Sequence, residues 1–141
     1  METGWIGKSE YFVVKSLKNG HRQALIMGAC KCEFGRWNIE AGIFPCSITY
    51  DKMARSDVWR KPTSTNKNPS IKTLILGLEA LNEIEQEIRK QANGKKTYIY
   101  VDGLDERHLR VYTKVLTKRC GYKLSKARGT CCKLPKLYKQ I

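Results

Sequence analysis

The chain has 141 residues, of which 27 are Lys or Arg and 13 are Asp or Glu, so its formal charge is +14. Hydrophobic residues make up 41% of the sequence, which is typical of a folded protein and excludes a fully disordered one. No apolar run approaches the roughly 20 residues that a transmembrane helix needs. This length suits one core, and we expect residues 1–141 to form a single domain.

Strand-like segments occupy the first fifty residues. Tyr11–Leu17 is aromatic and β-branched, Gln23–Cys30 is a second apolar run, and the Asn19-Gly20 pair between them is a strong hairpin signal. Trp37–Phe44 and Cys46–Tyr50 have the same character. These segments predict an antiparallel meander.

A polar loop follows the meander. Residues 61–69 are mostly small and polar, and the cations Arg60, Lys61 and Lys67 occur in or beside them. Such a loop either cradles a phosphate group or serves as a solvated connector. We therefore regard these three cations as candidate phosphate or coenzyme A contacts.

The clearest helix comes next, over about residues 69–93. Asn68 suits the N-cap and Pro69 the first helical position, and apolar residues then recur at spacings of three and four. Asn93-Gly94 predicts a left-handed C-cap. Four glutamates are expected on the exposed sides of this helix, namely Glu79, Glu83, Glu85 and Glu87.

The C-terminal third predicts a strand, a helix and two more strands. Thr97–Val101 is typical of a central strand, and a second helix is expected over about residues 104–120. Tyr122–Leu124 and Cys131–Tyr138 are candidate strands, joined by a basic loop at residues 125–129. The predicted fold class is α+β, with an antiparallel or mixed sheet and two helices.

The positive charge is concentrated in the same C-terminal third. No acidic residue occurs from Arg107 to Ile141, whereas eleven Lys and Arg fall in those 35 positions. Charge of one sign attracts polyanions, chiefly nucleic acid. Because the N-terminal residues show no apolar signal-peptide segment, we expect a cytoplasmic protein with reduced cysteines.

The element order and three segments of this chain resemble the C-terminal half of the GNAT N-acetyltransferase fold. The segments are Tyr98-Ile-Tyr-Val-Asp102, Leu109-Arg-Val-Tyr112 and Lys118-Arg-Cys-Gly-Tyr-Lys123. In that family a central strand is followed by a helix that ends in a Gly-Phe/Tyr-Lys entry to the next strand. Small phage proteins with GNAT-like folds, some without known catalysis, are similar in this half. The resemblance implies a truncated GNAT-like fold and, for an active member, acetyl-CoA as cofactor.

The chain departs from the family where the family binds and uses acetyl-CoA. A glycine-rich turn normally binds the pyrophosphate, but residues 64–70 stand there and Pro69 lacks an N–H group. The tyrosine that usually serves as the acid corresponds to Thr117. We therefore expect no catalytic residues and no cofactor. A diverged N-acetyltransferase that uses Arg60, Lys61 and Lys67 is the alternative.

A basic surface in the C-terminal segment is the candidate binding site. We expect it to contact nucleic acid, with aromatic rings stacking on bases and cations contacting phosphates. A phage-type inhibitor or assembly protein that binds an acidic protein surface is a second alternative. The candidate residues are Arg107, Arg110, Lys114, Lys118, Arg119, Tyr122, Lys123, Lys126, Arg128, Lys133 and Lys136. No metal site is expected, because Cys30-x-Cys32 and Cys131-Cys132 do not have the usual zinc-ligand spacing.

Overall fold

The structure is a computed structural model that describes residues 3–17, 23–32, 35–45, 71–101, 106–128 and 135–141. For residues 45, 71, 106–112, 125–128 and 135–136 the backbone alone is described. The elements, in chain order, are β1 (Gly4–Ile6), β2 (Glu10–Leu17), β3 (Gln23–Cys32), β4 (Arg36–Pro45), α1 (Ile71–Ala92), β5 (Tyr98–Val101), α2 (Glu106–Arg119), β6 (Lys123–Arg128) and β7 (Pro135–Gln140).

Seven strands of the described residues form one mixed sheet, in the order β1-β2-β3-β4-β5-β7-β6. Strands β1 to β4 are antiparallel neighbours, which confirms the predicted meander. Tyr11 lies opposite Ala29 and Leu17 opposite Gln23 in the β2–β3 hairpin. The expected turn at Asn19-Gly20 lies outside the described residues, as does the expected strand at residues 46–50.

Strand β5 connects the meander to the C-terminal hairpin and confirms the predicted central strand. It runs parallel to β4 and antiparallel to β7. Ile99 and Val101 are buried, whereas Tyr98 and Tyr100 alternate with them and are partly exposed. Because successive side chains of a strand point to opposite faces, the two tyrosines share one face of the sheet.

Helix α1 confirms the long helix that was predicted, and it ends in the predicted left-handed cap. Asn93 has φ 50° and Gly94 has φ 84°. Helix α2 ends in a similar way, because Gly121 has φ 77° and the Tyr122 N–H donates to the Leu116 carbonyl at 3.1 Å. This bond reaches back over the last turn, as in a Schellman motif.

The main core lies between the helices and one face of the sheet, which we call the first face. Ile84 and Ile88 of α1 and Leu116 of α2 belong to one buried cluster with residues of five strands. Those strand residues are Tyr11, Val13, Met27, Ala29, Trp37, Ile39, Ile99, Val101 and Leu137. We call the opposite face the second face. Neither helix of the described residues is long and apolar enough to cross a membrane.

Two local expectations are wrong. Glu85 was expected on the exposed side of the long helix, but it is only 7% exposed because it faces the first face of the sheet and has hydrogen-bond partners there. The basic loop expected from residue 125 begins later, because residues 125–128 continue β6 and Arg128 pairs with Pro135 of β7 after an irregularity in the register. Pairing lets an edge strand form hydrogen bonds with about half of its backbone N–H and C=O groups, whereas in a loop these groups would bind water.

Candidate functional site

Three tyrosines lie together on the second face. Tyr100 lies directly opposite Tyr138 of β7, and Tyr98 precedes Tyr100 by two positions in β5. The ring centroids of Tyr100 and Tyr138 are 5.8 Å apart, and the ring planes differ by 23°. All three side chains are partly exposed. We call Tyr98, Tyr100 and Tyr138 the tyrosine patch.

Cations adjoin this patch on the same face. The Arg36 guanidinium lies 5.6 Å from the centroid of the Tyr100 ring, and the Lys96 ammonium lies 5.6 Å from that of Tyr98. A hydrogen bond with Tyr98 raises the pKa of Lys96 above its ordinary value. Lys123 is exposed and lies opposite Tyr138 in the β6–β7 register. Cations near aromatic faces are held by the ring quadrupole and also prefer anionic partners.

These cations mark one end of the molecule. Strands β4, β5 and β6 begin at this end, because β5 is parallel to β4 and β6 returns antiparallel to β7. Helices α1 and α2 lead into β5 and β6, and therefore finish there. We give the name basic end to seven of the exposed cations there: Arg36, Arg89, Lys95, Lys96, Lys118, Arg119 and Lys123.

The basic end has more charge than helix stability requires. Arg89, Lys118 and Arg119 lie in the last helical turns, where a cation offsets the helix dipole. Arg36, Lys96 and Lys123 are outside the helices and have no such role. Within the described part of the chain, no cation of the basic end has an ion-pair partner.

Gly35 brings two of these cations close together. Its φ of 68° is left-handed, and a Cβ atom at this position would lie 3.1 Å from the Lys96 carbonyl oxygen. The absence of a side chain therefore lets the start of β4 approach the chain just before β5. This approach places Arg36 next to the segment that bears Lys96.

Among the described residues, the acidic side chains of α1 that face the sheet are paired, and Glu10 and Glu40 lie on the β2–β4 side of the second face. Glu83 accepts from Lys15 at 3.0 Å, and Glu87 accepts from Lys90 at 3.3 Å. On the second face, Glu10 lies opposite Cys30, toward the β2–β3 side of the sheet. Partial burial, and then the charge of Glu10, raise the pKa of Cys30 to about 11. The carboxylates of Glu10 and Glu40 therefore lie near Cys30 on the second face.

A buried polar cluster connects α1 to the C-terminal hairpin. The Tyr122 hydroxyl donates to Glu85 Oε1 at 2.6 Å, and the Lys139 ammonium donates to Glu85 Oε2 at 3.1 Å. Tyr122 is only 2% exposed. Tyr122 was expected to stack on bases, but its ring lies in the core and cannot do so, because its hydroxyl is tied to a carboxylate 37 positions earlier in the chain.

The structure divides the other predicted site residues between the two ends of the sheet. Lys114, Lys118, Arg119 and Lys123 are exposed, and the last three belong to the basic end. The backbone of Arg107 and Arg110 lies at the start of α2, that of Lys126 and Arg128 in β6, and that of Lys136 in β7. Arg128 and Lys136 lie at the end of the sheet away from the basic end. Lys133, Arg60, Lys61 and Lys67 lie outside the described residues.

Six residues of the basic end and the tyrosine patch were not among the predicted ones. They are Arg36, Arg89, Lys95, Lys96, Tyr98 and Tyr100. The alternation Tyr98-Ile-Tyr100-Val is itself the signal that both rings share one face of a strand. Arg36 and Lys96 offer no such signal, because only the parallel pairing of β4 with β5 brings them together.

A shallow cleft of about 260 Å³ adds to the basic end. Arg89, Ala92, Gly94, Lys95 and Ile141 line it. Two cations at an open cleft suit an anionic group that stays partly hydrated. In the described ranges, no three His, Cys, Asp or Glu side chains come close enough to hold a metal ion.

Comparisons with known proteins add no assignment. No protein-family model, no curated protein and no solved structure matches the chain. The GNAT-like relationship therefore stays a prediction.

Proposed function

We propose that the protein binds nucleic acid, and that the basic end contacts the phosphate backbone. The observation that carries this proposal is the gathering of seven exposed cations, unpaired within the described residues, at one end of the sheet. They come from three separate stretches of sequence, around residues 36, 89–96 and 118–123. A polyanion with regularly spaced charges complements such a surface.

The physical consequence is a strong dependence on salt. Each phosphate that a cation neutralises releases bound counterions, so log K falls against log salt with a slope of about −0.7 per contact for a single strand. Four contacts would give a slope of about −3, and hence roughly 50-fold weaker binding at 200 mM than at 50 mM salt. Binding driven by apolar burial would not show this slope.

Two other functions remain alternatives without a supporting observation. A diverged N-acetyltransferase depends on Arg60, Lys61 and Lys67, which lie outside the described residues. An inhibitor or assembly protein would use the same basic end against an acidic protein surface. Binding of a pure oligonucleotide by the pure protein separates the proposed function from both.

The first prediction concerns Lys123→Gln. We expect this change to weaken binding of a 20-nucleotide strand about threefold to tenfold, and to lower the salt slope by about 0.7, because one phosphate contact is lost. Fluorescence anisotropy between 50 and 300 mM KCl measures both quantities.

Lys72→Gln is the matched control. Lys72 is also an exposed lysine, but it lies at the start of α1, a 22-residue helix that is about 33 Å long and ends at the basic end. The Lys72→Gln variant should keep the wild-type affinity and salt slope. Equal decreases in affinity for Lys123→Gln and Lys72→Gln, or no binding by the wild-type protein at 50 mM KCl, would contradict the proposed function.

A further inference from the structure

The rings of the tyrosine patch favour a narrower class of ligand than the neighbouring cations do. Lys and Arg contact phosphates of a duplex and of a single strand alike. Aromatic side chains stack on the faces of bases, and those faces are accessible in unpaired strands and covered by neighbouring pairs in a duplex. Partly exposed rings beside cations that have no ion-pair partner among the described residues therefore favour a single strand over a duplex.

The side chains form a row across neighbouring strands. Arg36 of β4 reaches the Tyr100 ring from one side, and Tyr138 of β7 stacks on it from the side of the next strand. Beyond Tyr138 lies β6, where Lys123 is in register with it. Among the described residues, Tyr100 is the sole ring recorded against Tyr138. Tyr138 is partly exposed, and Lys123 adjoins it on the β6 side.

The spacing of the row suits a strand that crosses the sheet. Arg36 and Lys123 lie on strands separated by three inter-strand intervals, or about 14 Å. Two cations at this separation can hold phosphates that flank the nucleotides between them. Glu10 of β2 and Glu40, four positions beyond Arg36 on β4, bring negative charge to the second face near Cys30, so a phosphate backbone is favoured at the start of β4 and over β5, β7 and β6.

We propose that the tyrosine patch binds unpaired bases of a single-stranded nucleic acid, with Tyr138 as the main stacking ring and Arg36 and Lys123 on the flanking phosphates. This inference rests on the proposed function and specifies its substrate class. Stacking tolerates all four bases, because every base has a π face. The protein therefore prefers single strands over duplexes with little preference for sequence.

The experiment compares a mixed-sequence 12-nucleotide single strand with its own duplex, as DNA and as RNA, by fluorescence anisotropy at 50 mM KCl. We expect the wild-type protein to bind the single strand at least tenfold more tightly than the duplex. Tyr138→Leu should weaken single-strand binding about tenfold and leave duplex binding unchanged, because only the ring is lost. Tyr138→Phe keeps the π face and should retain the affinity. Comparison of the DNA and RNA arms shows which strand is preferred.

Two further variants control for effects on folding. Tyr122→Phe alters a tyrosine buried in the core, away from the patch, and should leave both affinities unchanged. Tyr98→Leu removes a second ring of the patch and should also weaken binding of the single strand but not of the duplex. It replaces Tyr138→Leu as the test if circular dichroism shows that Tyr138→Leu is unfolded.

The failures of the two proposals are distinguishable. Equal affinity for single strand and duplex, or a single-strand affinity that neither Tyr138→Leu nor Tyr98→Leu lowers, would overturn this inference and leave the proposed function standing. Absence of binding to any of the four oligonucleotides at 50 mM KCl would overturn both.

Discussion

At the scale of single residues, Glu85 holds three elements together. It lies on α1 and accepts hydrogen bonds from Tyr122, just before β6, and from Lys139 of β7. A buried carboxylate is unfavourable unless it is paired, and here one oxygen accepts from a hydroxyl and the other from an ammonium group. The C-terminal hairpin is therefore fastened to the long helix by polar contacts as well as by apolar packing.

The second prediction follows from this cluster. Tyr122→Phe should lower the free energy of unfolding by about 1.5–3 kcal/mol, because a hydrogen bond to a buried charged group is lost. Urea denaturation at pH 7 measures it. Tyr138→Phe removes a hydroxyl from the partly exposed tyrosine patch and should lower the free energy of unfolding much less. Equal decreases in the two variants would contradict a stabilising hydrogen bond between Tyr122 and Glu85.

The same pair of proteins gives a pH dependence. Burial, and then the charge of Glu85, raise the pKa of Tyr122 well above its ordinary value of 10.0. The unfolded chain then loses this proton first, so the stabilisation is present below pH 10 and is lost as the pH rises above it. The stability difference between wild type and Tyr122→Phe should therefore narrow between pH 9 and pH 11. A constant difference across this range would exclude a raised pKa.

At the scale of elements, the junction of β4 with β5 depends on Gly35. The third prediction is that Gly35→Ala destabilises the protein by about 1–3 kcal/mol, because alanine is strained at positive φ and its Cβ would lie 3.1 Å from the Lys96 carbonyl oxygen. It should also weaken nucleic-acid binding, since Arg36 and Lys96 move apart.

Gly7→Ala is the matched control for this change. Gly7 has φ 61°, but no atom lies within 4 Å of a Cβ placed there. Gly7→Ala therefore introduces the strain of an alanine at positive φ without a close contact of its Cβ atom. Thermal unfolding and anisotropy of both variants separate the two effects. Equal stability losses, with unchanged binding in both, would show that the close approach at Gly35 has no role.

Much of each element was predictable from the sequence, and the exceptions have physical causes. The hairpin strands and α1 were predicted because their apolar spacings are regular and their lengths are ordinary. Strand β1 has 3 residues, which is too short for any periodicity to show. Glu85 follows Leu81 by four and precedes Ile88 by three, so its spacing placed it within the apolar stripe although its charge suggested exposure.

At the scale of the whole molecule, the topology gathers charge that is dispersed in the sequence. The acid-free C-terminal segment predicted a continuous basic surface, but β6 and β7 carry its backbone to both ends of the sheet. Meanwhile Arg36 and the cations of residues 89–96 join Lys118, Arg119 and Lys123 at one end. Strand order and direction decide this arrangement, and no local pattern in the sequence contains them.

Lysine footprinting of the protein–oligonucleotide complex tests this account most directly. The protein is acetylated briefly at 50 mM KCl with and without a saturating 20-nucleotide single strand, and each lysine is then quantified by mass spectrometry. We predict that Lys96, Lys118 and Lys123 are protected by the oligonucleotide, while Lys72 at the far end of α1 reacts equally in both samples. Protection confined to Lys126, Lys133 and Lys136, or no protection at any lysine, would contradict binding at the basic end.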